Sequence, residues 1–407
     1  MRDKRSSEPV EPFVQGDRLQ LLDALRGFAL AGVLLMNLGP FTLFDFLDGA
    51  QKAALPTASF DRPAEVVVRF LVHGKAMTVF TLLFGAGFAL QLARADRRGE
   101  PLAPSFLRRI AVLFLFGSAH AYLLWWGDIL RFYALLGPVL LLLRRAPTRV
   151  LLPVWFGIAV VLPALRSILL PKLSDVATAS ATLAAFQGGS FSEMLRFNAA
   201  RCGWTAIASG LPFLILGRFL LGFWAGRAGL FHDPARHRPL LRLILVLGLA
   251  AGVPGSALSV AMELFGLARQ VPALATGPAA AGLRLAVWLG PLGMGAAYAA
   301  GFALLFLRPG WRARLSVLAP VGRMSLTNYL LQTAICVPVF YGWGLGIGPR
   351  YGMAGWLAAW ALLFGAQIAW SRWWLARFQF GPVEWLWRSL AFGRFQPLAQ
   401  RVPYERA

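Results

Sequence analysis

Long apolar runs alternate along this chain with short segments rich in arginine. A helix crossing a bilayer needs about 20 mostly apolar residues. Ten runs meet or approach that length: 20–44, 66–93, 107–126, 128–143, 150–170, 204–225, 240–262, 283–307, 322–343 and 353–375. The pattern predicts an all-α, polytopic integral membrane protein with about ten transmembrane helices. The third and fourth runs meet at the tight turn Trp126-Gly127-Asp128, and the fourth is short, so nine or eleven crossings fit as well. No polar linker divides the runs. Residues 18–390 therefore read as one helical domain, with residues 1–17 as a disordered cytoplasmic tail and 391–407 as a second cytoplasmic tail. In the longest outer loop, 171–203, the stretch Phe191–Arg201 reads either as an amphipathic helix on the membrane surface or as an ordinary capping loop.

Composition agrees with the runs. The chain is 58% hydrophobic and 14% charged, where an ordinary soluble domain is about 45–50% apolar and about 25% charged. Disorder and a soluble multi-domain enzyme are both excluded on this ground. The formal charge is +22, from 40 Lys and Arg against 18 Asp and Glu. In a soluble protein that excess would point to nucleic acid. Here the bases lie between apolar runs, as in the cytoplasmic loops of a membrane protein, so the expected partner is the lipid bilayer and not nucleic acid. With the N-terminus inside, 26 basic residues fall on inner segments and 10 on outer ones. That asymmetry places both termini in the cytoplasm. The first run is too long for a signal-peptide core, and no small-x-small cleavage site follows it. Cys202 and Cys336 stand far apart without ligand spacing, so neither a disulfide framework nor a metal site is expected. Nothing in the pattern sets an oligomeric state.

Ionisable groups are costly in lipid and usually face a cavity, a partner or a substrate path. Arg26, Lys75, Arg131 and Arg218 fall within the runs. Asp23 and Arg26 are three apart and can pair on one helix, either as a local ion pair or as part of a site. Asn37 lies eleven residues beyond Arg26, on the same side and about 16 Å further along the axis. His73 and Lys75 enter the second run from outside, and His120 lies in the outer half of the third, near Asp128. A lone histidine in a helix is more often a packing residue than a catalyst, yet these polar groups converge on one depth. Asn328 and Gln332 share a helix face, with Arg323 just before them. They read either as glue between helices or, with Arg26 and Arg218, as the lining of an inner, anion-attracting vestibule. The chain has no P-loop, dinucleotide fingerprint, His-Glu-x-x-His or Gly-x-Ser-x-Gly motif.

Five stretches carry a resemblance. They are Arg18-Leu-Gln-Leu-Leu-Asp23-Ala-Leu-Arg26-Gly27 with Asn37, Leu83-Phe84-Gly85-Ala86-Gly87-Phe88, and His120-Ala-Tyr-Leu-Leu-Trp125-Trp-Gly127-Asp128 with Tyr133 and Gly137. The last two are Gly322-Arg323-Met324-Ser325-Leu326-Thr327-Asn328-Tyr329 continuing to Gln332, and Gly381-Pro382-Val383-Glu384-Trp385-Leu386-Trp387-Arg388. Together they resemble the bacterial YeiB-like integral membrane family, catalogued as a domain of unknown function. That likeness implies a multi-pass protein of the bacterial plasma (inner) membrane. The first run also resembles the transmembrane acyltransferase superfamily, whose members carry Leu-Asp-x-x-Arg-Gly there. Peptidoglycan O-acetyltransferases and the lysosomal heparan glucosaminide acetyltransferase are examples. Many bacterial members place a catalytic histidine eleven residues after that arginine. This chain has Asn37 there, as the heparan-type enzymes have asparagine, so the resemblance hands over no catalytic histidine.

Two functions follow as expectations. The first is an acyltransferase that moves an acyl group from cytoplasmic acyl-CoA, such as acetyl-CoA, to a hydroxyl or amine of a small-molecule or cell-envelope acceptor on the outer side. In it, Arg26, Arg218 and Arg323, with Asp23, Asn328 and Gln332 around them, would receive the anionic cofactor. His120, oriented by Asp128, would act as general base, with His73 and its neighbour Lys75 the second candidate pair. Asn37 would donate to the developing oxyanion. The second is a transporter or exporter of a small anionic solute, with the same groups lining its path.

Overall fold

The computed structural model describes residues 15–163, 165, 179–202, 210–271 and 277–399. Among these residues there are helices and turns but no β-strand, only one isolated bridge between Phe378 and Ala399. In chain order the helices are α1 (Gln15–Phe41), α2 (Gly49–Ala53), α3 (Ala58–Leu71), α4 (Lys75–Arg98), α5 (Leu102–Leu123) and α6 (Leu130–Leu142). They continue with α7 (Thr148–Phe156), α8 (Ala179–Gln187), α9 (Phe191–Arg201), α10 (Leu211–Arg227), α11 (Arg238–Leu264) and α12 (Leu267–Gln270). The last six are α13 (Gly277–Phe306), α14 (Pro309–Leu315), α15 (Ala319–Arg323), α16 (Ser325–Phe340), α17 (Gly352–Leu375) and α18 (Pro382–Phe392).

Among the described residues, six helical segments are long and apolar enough to cross a membrane: Gln20–Phe41, Ala58–Arg98, Leu102–Leu123, Arg238–Leu264, Gly282–Phe306 and Gly352–Leu375. The second of these is α3 and α4 in tandem, parted at Gly74, whose φ of 76° lies in the left-handed region that glycine enters without a Cβ clash. It begins eight residues before the predicted run, because Asp61 and Glu65 interrupt the apolar pattern while sitting buried on the inner face of α3. The other four predicted runs correspond to shorter helices. These are α6, α10, α16, and α7 with its π-helical continuation over Gly157–Val161. Parts of the fifth and sixth runs lie outside the described residues, as do residues 1–14 of the predicted N-terminal tail. The stretch Phe191–Arg201 is a helix, α9. Ser190 and Glu193 close a capping box at its start: the Glu193 N–H donates to Ser190 Oγ, and the Ser190 N–H donates to the Glu193 carboxylate at 2.6 Å.

Helix α1 is the axis of the molecule, packed by α4, α15, α16 and α17. Lipid tails are as apolar as leucine, so membrane helices associate through close packing and polar contacts more than through exclusion of water. Glycine makes that close approach here. A Cβ on Gly322 would stand 1.8 Å from the Asp23 carbonyl oxygen, and one on Gly85 would stand 2.0 Å from that of Phe219. No side chain fits at either position, so α15 lies directly on α1 and α4 directly on α10. Two indoles fasten α17 to the same axis, Trp356 Nε1 donating to the Leu35 carbonyl at 2.7 Å and Trp360 Nε1 to that of Ala31 at 2.9 Å. After α17 the chain turns back. Helix α18 packs on α5 and α16, and the segment beyond it is pinned by Trp385 Nε1 to Gln396 O and by Gln379 N to Leu398 O.

Candidate functional site

A cavity of about 630 Å³ runs beside α1, walled by α4, α5, α6, α16 and α18. Its volume suits a small organic ligand. Asp23, Arg26 and Asn37 all face it, and from Asp23 to Asn37 the helix advances by about 21 Å. One end, beside the start of α1, gathers Arg26, Arg94, Arg109, Arg323 and Arg388. Among the described residues, two carboxylates accompany these five cations there, Asp23 and Glu384. Both are engaged. Arg26 Nη1 donates to Asp23 Oδ1 at 2.8 Å. Glu384 accepts from the N–H groups of Leu326 (2.7 Å) and Thr327 (3.1 Å) and from the Thr327 hydroxyl (2.5 Å). In effect it caps α16 from another helix, meeting N–H groups that a helix start leaves unpaired. Burial nonetheless pushes the Glu384 carboxyl above its ordinary range, although these donors oppose it. The arginine end therefore keeps a surplus of positive charge, enclosed by low-dielectric walls that strengthen its pull on an anion.

The arginines are held by aromatic neighbours. The Arg109 guanidinium lies 4.6 Å from the Trp387 ring centroid and donates from Nη1 to Gln91 Oε1 at 2.9 Å, while Trp387 Nε1 donates to the Arg109 carbonyl at 2.8 Å. Arg388 lies over Phe380 at 4.5 Å, and Arg323 Nη2 reaches the Gln379 carbonyl at 3.3 Å. Further along, the walls become apolar, with Leu30, Phe84, Phe88, Ile110 and Leu113. At the far end Asn37 is 6% exposed, and no group among the described residues hydrogen-bonds its amide. Tyr133 lines the same end, its hydroxyl 2.6 Å from Thr81 Oγ1.

His120 and Asp128 do meet. Nδ1 lies 2.9 Å from Asp128 Oδ2, and both side chains are fully buried. The other carboxylate oxygen accepts the Arg131 N–H at 2.9 Å, which holds the acid against the start of α6. A carboxylate at Nδ1 favours a proton on that nitrogen and leaves Nε2 as the one free to act on a ligand. Nε2 is buried without a partner among the described residues. The imidazole does not itself line the cavity. It stands behind Tyr329, whose ring, 5.2 Å from it, belongs to the cavity wall.

The remaining expected residues lie elsewhere. Lys75 is buried and donates from Nζ to the Arg69 carbonyl at 3.0 Å, while His73 is exposed. Neither lines the cavity nor joins His120. They border a polar cluster in which Arg69 meets Asp45, Glu65 and Glu263 at 3.1–3.2 Å. Arg218 is buried behind Tyr133, with Nη1 unpartnered among the described residues. Asn328 and Gln332 are fully buried and tie helices together: Asn328 Nδ2 donates to Ser371 Oγ at 2.9 Å, and Gln332 Nε2 to Gln367 Oε1 at 3.0 Å. Of the residues predicted for the anion vestibule, Asp23, Arg26 and Arg323 line the cavity; Arg218, Asn328 and Gln332 do not. In the sequence, Arg94, Arg109 and Arg388 pass as inner-segment charges and Glu384 carries no distinct role. The signals were present, since Arg109 interrupts an apolar run and Glu384 and Arg388 fall inside the Gly381–Arg388 stretch.

The family model described as "Protein of unknown function (DUF418)" matches residues 225–394. Over most of its length the chain is 30% identical to the "Uncharacterized protein YxaH" of Bacillus subtilis (strain 168), covering 97% of this chain and 99% of the relative. It is also 30% identical to the "Uncharacterized protein YeiB" of Escherichia coli (strain K12), covering 95% and 99%. A Bacillus acidopullulyticus protein, named for its position in an amylase 3' region, is 30% identical over 96% of this chain and 98% of its own. No solved structure matches the chain.

Proposed function

The chain belongs to the YeiB-like DUF418 family, and from the cavity just described we propose that it is a membrane-embedded acyltransferase using acyl-CoA. The observation that carries the reading is the pairing, along one cavity, of a five-arginine end with a far end where Asn37 has no hydrogen-bond partner among the described residues and His120–Asp128 lies one ring away. With ten helices crossing and both termini in the cytoplasm, the arginine end faces the cytoplasm. There Arg26, Arg109, Arg323 and Arg388 bind the phosphates of the donor, for which guanidinium geometry is suited. Asn37 donates its amide N–H to the carbonyl oxygen as negative charge develops. His120 Nε2 takes the proton of the acceptor hydroxyl or amine once the Tyr329 ring swings from between them; the acceptor atom bonds to the thioester carbonyl carbon, the C–S bond breaks, and the imidazolium, stabilised by Asp128, gives that proton to the departing CoA thiolate.

The test is thermal stability of the purified protein against acetyl-CoA, with CoA and ATP as controls. A ligand that binds only the folded state raises stability by mass action. The expected result is a dose-dependent rise that Arg26→Ala abolishes. His120→Ala should keep that rise while losing transfer to the acceptor. No shift at millimolar acetyl-CoA, in folded protein, refutes donor binding.

A second reading, passage of a small anion, is favoured by one observation. His120 is set back from the cavity wall, and transport needs only the cavity. Uptake of labelled solutes into proteoliposomes, with turnover unaffected by His120→Ala, would favour it.

A further inference from the structure

The turn between α5 and α6 has two sides. On one, Gly127, Ile129 and Leu130 line the far end of the cavity. On the other lies α9, which packs on α5. Arg131 Nη1 donates to the Cys202 carbonyl, just past the end of α9, at 3.1 Å, and the Arg201 guanidinium lies 4.9 Å from the Trp126 ring centroid. Asn198 Nδ2 donates to the Tyr122 carbonyl and Cys202 Sγ to that of Ala121, each at 3.4 Å. Helix α9 thus covers the turn that joins His120 to Asp128.

Its attachment is that of a moving part. Helix α8, just before it, is anchored: the Gly342 N–H donates to the Phe186 carbonyl at 2.8 Å, and the Phe186 ring lies 4.6 Å from that of Tyr341. Gly188 and Gly189 follow, and a glycine pair absorbs a change of φ and ψ with no Cβ to oppose it. Helix α9 then begins with its capping box and leans on Trp343, through the Phe191 ring at 5.1 Å and Met194 Sδ at 3.1 Å. The seam beneath it is imperfectly paired. Trp126 Nε1, Arg131 Nη2 and Asn198 Oδ1 are buried there with no hydrogen-bond partner among the described residues. Each such atom carries a desolvation cost that water removes, so lifting α9 relieves the closed state at three points.

We propose that α9 is the outer lid of the cavity, hinged at Gly188–Gly189, and that its lifting opens the far end to the outer side. The lid rests on the acyltransferase reading for the molecule it admits, the acceptor. The donor enters at the arginine end, so the two substrates reach one cavity from opposite faces of the membrane. Closing α9 behind the acceptor keeps bulk water from the thioester.

The two native thiols report the motion. Cys202 is 7% exposed under the lid, and Cys336 is 2% exposed on α16. Spheroplasts carrying the full chain are treated from outside with a charged, membrane-impermeant maleimide. The expected result is slow labelling of Cys202 while Cys336 stays unlabelled. Phe191→Ala removes the ring contact with Trp343 from an exposed position and should speed Cys202 labelling roughly fivefold, the scale of one aromatic pair. Gly188→Ala, whose Cβ would meet nothing nearer than 3.8 Å, should slow it about threefold by stiffening the hinge. In the triple variant Cys202→Ala, Cys336→Ala, Ile129→Cys, the thiol on the cavity wall should be labelled from outside and follow the same two changes. Labelling of Cys202 and Cys336 at one rate marks global unfolding and overturns the lid. So does a Cys202 that stays unlabelled in Phe191→Ala, or labelling at position 129 that neither change moves. Stabilisation by acetyl-CoA should be the same in Phe191→Ala as in the wild type. Loss of that shift from both, with the labelling pattern kept, removes the donor and keeps the lid; the shift without the labelling pattern removes the lid and keeps the donor.

Discussion

Replacing Glu384 with alanine should release α18 from the arginine end of the cavity. The carboxylate is the acceptor for the Leu326 and Thr327 N–H groups and the Thr327 hydroxyl. The hydroxyl can turn elsewhere, but the two amides are fixed at the start of α16. Each buried N–H left unpaired costs about 1 kcal/mol at the lower end of the usual range, so about 2 kcal/mol together. The other supports of α18, such as the Trp387–Arg109 bond, remain. The loss should therefore appear as local opening and not as global unfolding. Hydrogen exchange reads that directly, and protection of the α18 amides should fall about 30-fold. Glu384→Gln keeps one accepting oxygen and should fall less. The direction of the Glu384 shift adds a pH test. Because burial raises the folded-state value, this group's stabilising contribution is fully present below the unfolded carboxyl value and is lost as pH rises through the raised one. After correction for intrinsic exchange, α18 protection should grow as pH falls from neutral in the wild type, and not in Glu384→Ala. Unchanged protection in the alanine variant, or protection that grows with rising pH, would refute the assignment of Glu384 as the latch.

Gly322→Ala should destabilise the protein by at least the 1–3 kcal/mol usual for overpacking, because its Cβ would meet the Asp23 carbonyl oxygen at 1.8 Å; a melting temperature equal to wild type would contradict that packing. Gln332→Leu and Gln367→Leu should show a coupling of about 0.6 kcal/mol, the average for polar pairs between membrane helices, and a cycle that closes at zero would deny the bond between α16 and α17. A reporter fused after Ala407 should report cytoplasm if ten helices cross, and a periplasmic signal would mean an odd number of crossings.

Apolar run length and arginine spacing alone determined the class of this protein. A helix satisfies its own backbone, so a stretch of apolar residues is enough to specify one in lipid. The motif stretches also marked Asp23, Arg26, Asn37, Arg323 and the His120–Asp128 pair as chemistry-bearing, since polar groups are conspicuous where the background is apolar. The 120–128 pairing was legible because both partners flank one turn. What pairs across the chain was not. Asn328 and Gln332 looked equally suited to a vestibule, and only the positions of Ser371 and Gln367 show them holding helices together. Lys75 shared a predicted depth with His120 but faces the α3–α4 turn instead, because depth along an axis leaves the direction around it free. Arg109 and Arg388, far apart in sequence, reach the cavity because α18 folds back onto α5. Such meetings depend on which helices adjoin and how each is rotated. Hydrophobic periodicity gives an element and its length, whereas the tertiary packing alone decided which polar faces share a cavity.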